Sequence, residues 1–232
     1  MSKRLLPAAC AAAASLCLAS AASAGTVDLS AYVNSDAKTY TSGSDYPNGL
    51  VTIGGIDFLI SSIGNGGTGV IQLGSDESVS IADNETGVDT AYVIVNSGYG
   101  VAGKNIGSLT FLGAGSDQIS VDLIEGVNIR DHWTAYNNVA TDIFATATYP
   151  GANRFDVYRY DISALGGTLT GIEFASTSLA NFPNGQPFLA AVTTTFEGAV
   201  GGVPEPTSWA LMISGFGLAG AALRARRRLA AA

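Results

Sequence analysis

The sequence predicts an all-β protein, a β-sandwich or jelly roll of about 11 strands, and three observations carry that prediction. Apolar residues recur at every second position over most of the chain: Ile119, Val121 and Leu123 sit between Gln118, Ser120 and Asp122, and Val79 and Ile81 alternate with serines. That period sends successive side chains to opposite faces of a strand. Turn-forming clusters separate the runs at short intervals, among them Pro47-Asn48-Gly49, Gly64 to Gly67, Pro150-Gly151 and Pro183-Asn184-Gly185. No internal segment offers a helix longer than about two turns, residues 162–165 being the best candidate.

At the front, Lys3 and Arg4 precede an apolar, alanine-rich stretch over residues 5–22. Ala22-Ser23-Ala24 then places small residues where a signal peptidase cuts, so residues 1–24 read as a signal peptide cleaved before Gly25. Both cysteines, Cys10 and Cys17, fall inside it. The expected mature chain therefore has no disulfide, no catalytic thiol and no cysteine zinc site, and its stability has to come from a packed core.

Residues 25–196 are one domain's worth of chain. Strand-like runs follow at 27–33, 56–60, 70–73, 79–81, 90–95, 109–112, 119–123, 141–149, 154–160, 169–174 and 188–196. Between residues 25 and 200 stand five basic residues (Lys38, Lys104, Arg130, Arg154, Arg159) against eighteen acidic ones. Such a surface repels phosphate backbones, so nucleic acid is not an expected partner. Eight Phe and nine Tyr in the same stretch separate it from a disordered acidic tail. Residues 197–202 form a small, glycine-rich linker.

The tail, residues 203–232, holds Pro204-Glu205-Pro206, then Trp209 at the head of an uncharged run to residue 223, then Arg224, Arg226, Arg227 and Arg228. A helix over 209–223 is about 22 Å long, short of the roughly 30 Å hydrocarbon core, and snorkelling arginines extend its reach. The arginines mark the cytoplasmic end and Trp209 the outer interface. This order resembles the PEP-CTERM sorting signal of Gram-negative bacteria, which is read by exosortase, a membrane protease-transpeptidase. The resemblance implies signal peptidase and exosortase as partners during export through the inner membrane. It also implies a short C-terminal transmembrane helix as a transient anchor, and a final place at the cell surface or in the exopolysaccharide matrix. Some classifications name this type of tail after an ice-binding protein's C-terminal domain. Thr193-Thr194-Thr195 and Thr146-Ala147-Thr148 do not recur at a fixed repeat, so the body gives that name no ice-matching array.

Three short pieces, Thr52 to Phe58 (TIGGIDF), Gln118 to Trp133 (QISVDLIEGVNIRDHW) and Tyr160 to Phe174 (YDISALGGTLTGIEF), resemble galactose-binding-like jelly rolls of secreted carbohydrate-associated modules. The likeness implies a jelly-roll body, carbohydrate as ligand class, and a structural calcium ion as a possible companion; no other cofactor is expected.

Five constellations carry groups capable of chemistry. Gly64-Asn65-Gly66-Gly67-Thr68-Gly69 fits G-x-G-x-x-G, but Val70-Ile71-Gln72-Leu73 continues as a strand where a dinucleotide site needs a helix, so the loop reads as a hairpin connection. His132 is the one histidine; Asp131 beside it points to the opposite face of a strand, and no G-x-S-x-G elbow exists in the body, so no catalytic residue is assigned. Asp131, Trp133, Tyr136 and Asn137, with Arg130, His132 and Asn138, form the densest polar-aromatic cluster. One reading is a sugar platform, with aromatic faces under pyranose rings and polar groups on hydroxyls. The other is structural, with Trp133 packed into the sandwich and Arg130 paired to Asp131. A glycosidase carboxylate pair is open in principle, but nothing singles out two of the eighteen acids. Asp83-Asn84-Glu85 with Asp89, read as a Gly-containing loop, offers oxygens to calcium without EF-hand spacing. The expectation is an exported, non-enzymatic, carbohydrate-associated protein. The alternatives are a structural or adhesive surface protein without a small ligand, and a secreted glycan hydrolase.

Overall fold

The computed structural model describes residues 25–39, 46–136, 139–179, 181 and 183–195. The signal peptide, the sorting motif residues Pro204 to Arg228, the expected transmembrane span and Asn137 lie outside the described residues. Among those described, no helix is long and apolar enough to cross a membrane.

The described chain is all-β, with strands β1 (Gly25–Thr26), β2 (Ser35–Asp36), β3 (Gly49–Ile53), β4 (Ile56–Ile60), β5 (Ser62–Ile63), β6 (Gly67–Gln72), β7 (Ser78–Thr86), β8 (Thr90–Gly98), β9 (Asn105–Leu112), β10 (Gln118–Ile124), β11 (Ile143–Tyr149), β12 (Asn153–Asp161), β13 (Thr168–Ser176) and β14 (Gln186–Thr195). Eleven of these have five residues or more. The large sheet runs β11-β12-β8-β14-β6-β2, with β1 added to β14 and β5 to β6; the small sheet runs β10-β9-β13-β7. All strand pairings are antiparallel, and the chain crosses repeatedly between the two sheets, an arrangement consistent with a jelly-roll-like domain. Gly64 to Gly67 does join a hairpin, β5 to β6.

Between the sheets lies one core, with Val93, Val95, Tyr158, Leu189 and Val192 from the large sheet against Ile81, Leu109, Phe111, Leu123, Ile172 and Phe174 from the small one. A second core covers the large sheet's other face. There the β3–β4 hairpin brings Ile53, Ile56, Phe58 and Ile60 onto Tyr92, Ile94, Phe155, Val157 and Phe188. The large sheet is therefore buried on both sides. This explains why β8 and β14 read as continuous apolar runs while β7 and β10, with one face in water, alternate. The β3–β4 turn is Gly54-Gly55, both at positive φ as a tight hairpin requires, and a Cβ on Gly54 would stand 2.5 Å from that of Ala145.

The structure departs from the sequence pattern at two places. Residues 27–33 do not form a strand: β1 stops at Thr26, the Asp28 carboxylate accepts the Ser30 N–H at 2.9 Å, and Tyr32 N–H bonds to the Leu29 carbonyl. Asp28 thus captures backbone donors that a strand would use, although Val27 and Leu29 are still buried. Asp83, Asn84 and Glu85 do not form a loop; they lie on β7, where Glu85 pairs with Leu169 of β13, and only Asp89 lies between strands, in the connection to β8.

Candidate functional site

At one end of the large sheet, β8 and β12 stop pairing after Ile94 and Val157 and diverge. The loop between β10 and β11 fills the gap. Ser97 N–H bonds to the Arg130 carbonyl and His132 N–H to the Ser97 carbonyl, while Arg154 N–H bonds to the His132 carbonyl on the other side. Residues 130–134 are thereby wedged into the sheet, which places their side chains beside the ends of β6, β8 and β14.

A buried charge network holds that wedge. Asp156, inaccessible on β12, accepts from Arg130 Nε at 2.8 Å and a terminal guanidinium nitrogen of Arg130 at 2.7 Å. Thr146 Oγ1 at 2.6 Å and Asn96 Nδ2 at 2.8 Å donate to the same carboxylate, and Arg154 Nε stands 3.6 Å from it. The carboxylate holds the Arg130 guanidinium proton even more firmly than usual. Arg154 turns its guanidinium to the Asp131 carbonyl, through Nε at 2.9 Å and a terminal nitrogen at 2.7 Å, and to the Tyr136 carbonyl. The expected Arg130–Asp131 pair is therefore not formed: Arg130 pairs with Asp156.

Asp131 instead organises two backbones. One carboxylate oxygen accepts the Trp133 N–H at 2.7 Å and the other the Gly100 N–H at 3.3 Å. Burial raises its pKa against the opposing pull of those donors. The result is a pocket of about 330 Å³ lined by Asp131, His132, Trp133 and Tyr136 from the loop, with Tyr99, Gln72, Gln186 and Phe188 from the sheet end. Trp133 does not pack into the sandwich: it is 43% exposed, Tyr136 42% and Tyr99 74%. Tyr99 holds a positive φ of 60°, uncommon outside glycine, and this backbone turn sets its ring on the rim. Gln72 Nε2 donates to Gln186 Oε1 at 2.9 Å across the sheet end.

His132 forms part of the pocket's inner wall. Its ring meets Phe188 edge-on, with Nδ1 2.8 Å from the Tyr46 hydroxyl. Burial first, then the nearby Arg154 charge, pushes its pKa down to about 4, so it is neutral at neutral pH.

Of the candidate ligand-binding residues, Asp131, Trp133 and Tyr136 come together at this pocket. Gln72, Tyr99, Gln186 and Phe188 were not singled out from sequence. Ser97-Gly98-Tyr99-Gly100, an aromatic between glycines after a buried strand, was the available signal for Tyr99; a lone acid in the apolar run Phe155-Asp156-Val157 was the one for Asp156. Among the described residues no three of His, Cys, Asp and Glu gather as a metal-binding group, and Asp83, Glu85 and Asp89 make none.

Fold and pocket together define a sandwich-like β domain with an aromatic-rimmed cavity at a sheet end. Residues 202–228 match the PEP-CTERM protein-sorting motif, so the chain is an exported protein with a C-terminal sorting tail recognised by exosortase. Comparison with curated proteins finds no match.

Proposed function

We propose that the chain is a cell-surface or exopolysaccharide-matrix protein whose body binds carbohydrate without catalysing a reaction, at the pocket formed by Tyr99, Asp131, Trp133 and Tyr136. The observation that carries this reading is the pair of half-exposed rings, Trp133 and Tyr136, at the mouth of a cavity of about 330 Å³. That volume is at the low end of the about 300–1,000 Å³ of small-molecule sites and fits a sugar ring or a short stretch of chain. Ring faces stack on the C–H faces of a pyranose, and Gln72, Gln186 and Asp131 offer groups for hydroxyls. No Lys or Arg is among the lining residues described, so an uncharged glycan suits the site better than a uronic acid or sulfated one.

Hydrolysis by two carboxylates is disfavoured by the same lining. Asp131 is the one carboxylate among the described lining residues, and its oxygens already hold backbone N–H groups, whereas a glycosidase sets a second acid roughly 5–9 Å away.

Affinity electrophoresis of the exported, processed protein through gels cast with neutral and with acidic polysaccharides tests the reading. We expect retardation in a neutral polysaccharide gel, and Trp133→Ala to weaken it at least tenfold with Tm shifted by no more than about 2 °C, since surface changes act little on stability. Loss of retardation on adding a chelator would bring a structural calcium ion into the picture. Free migration of the wild type in every gel would leave a structural or adhesive surface protein.

A further inference from the structure

The predicted mature N-terminus lands in a specific place. Strand β1 begins at Gly25, which pairs with Thr194 of β14, and Val27 N–H continues the pairing to the Val192 carbonyl at 3.0 Å. The Glu85 carboxylate of β7 lies against the Gly25 Cα: its Oε2 is 2.8 Å from where a Cβ on that glycine would stand. Standard backbone dimensions then put that oxygen within about 5 Å of the Gly25 nitrogen. The Thr194 hydroxyl donates to the same carboxylate and lies 3.4 Å from the Gly25 carbonyl, tying Glu85 to this strand end. A side chain at position 25 would displace the Glu85 carboxylate from this place.

A second acid stands beside the first. Asp83, two residues back on the same face of β7, has a buried Oδ2 without a hydrogen-bond partner. Burial and then the Glu85 charge raise its pKa. Two carboxylates on one strand face repel each other, and a cation between them relieves the repulsion.

We propose that Glu85, supported by Asp83 and Thr194, is a binding site for the chain's own α-ammonium group, which exists only after the leader is cut. Hydrolysis of the Ala24–Gly25 amide adds water across the C–N bond. The Ala24 carbonyl carbon takes the hydroxyl and the Gly25 nitrogen takes the hydrogen, and a further proton from solvent makes it an ammonium. Before the cut that nitrogen is an uncharged amide; afterwards it carries a positive charge next to Glu85. Leader removal therefore locks β1 onto β14 and gives the mature chain a stability that the precursor lacks. The site is independent of the pocket and of any ligand there.

The test uses the full chain exported by a Gram-negative host. Intact-mass measurement should give Gly25 as the first residue. Selective acetylation of the α-amine should lower the wild-type Tm by roughly 2–4 °C, the shift that corresponds to one partly buried ion pair in a domain of this size. Glu85→Gln, which keeps an acceptor for Thr194, should start at the lower Tm and lose less than about 1 °C on acetylation. Glu85→Asp, which withdraws the carboxylate by one methylene, should fall between. A first residue other than Gly25, an unchanged Tm after acetylation of the wild type, or an equal loss in wild type and Glu85→Gln overturns the proposal.

Discussion

At the scale of single residues, burial shifts the titration of the side chains on the loop that carries the pocket. His132 is the clearest. An exposed histidine in the unfolded chain takes up a proton near pH 6.5, whereas in the fold it stays neutral down to about 4. The unfolded state therefore binds more protons across that window, and stability falls as pH drops from about 6.5 to about 4. The shift is worth on the order of 3 kcal/mol. Asp131 and Asp83, whose pKa values are raised, act with the opposite sign over the acid range. The contribution of His132 is isolated by difference: Tm of His132→Gln should vary less steeply than wild type between pH 6.5 and 4, and parallel profiles would contradict its neutral state. A reader of the sequence sees His132 next to Asp131 and asks about catalysis. Its actual setting, against Tyr46 and Phe188, depends on residues 86 and 56 positions away and is invisible without the fold.

At the scale of elements, alternation was legible wherever one strand face meets water, and it failed where both faces are covered. On β14, Leu189 and Val192 face one core while Ala190 and Ala191 face the other, because a bulge between Leu189 and Ala191 adds a residue against β8. No period of two contains that break. The first strand shows the converse: Val27, Leu29 and Val33 alternate in sequence, yet Asp28 turns the chain. The β3–β4 hairpin, which closes the second core, depends on its turn. Gly54→Ala should lower Tm by several degrees in thermal unfolding, since a Cβ there combines a positive φ with collision against Ala145. Gly64→Ala meets the φ penalty alone, as nothing lies within 4 Å of its added carbon, and should cost less.

At the scale of the molecule, the tail was the most legible part because it is a linear motif written for another protein to read, needing no fold to be recognised. The pocket was half legible: Asp131, Trp133 and Tyr136 are neighbours in sequence, but Gln72, Tyr99 and Gln186 reach them only through the pairing of β6, β8 and β14. Replacing Pro204, Glu205 and Pro206 together by alanine should leave the tail attached, and mass spectrometry of the mature C-terminus reads this directly; an identical terminus in wild type and variant would count against processing at that motif. The order of the strands also has a spatial consequence. β14 opens at the pocket with Gln186 and closes at Thr195, beyond which the chain runs on toward the tail. Ten extended residues at about 3.3 Å each separate those two ends by roughly 30 Å. The central strand thus acts as a mast: the residue from which the chain leads on to the sorting tail stands at its foot, and the aromatic-rimmed pocket opens at its head.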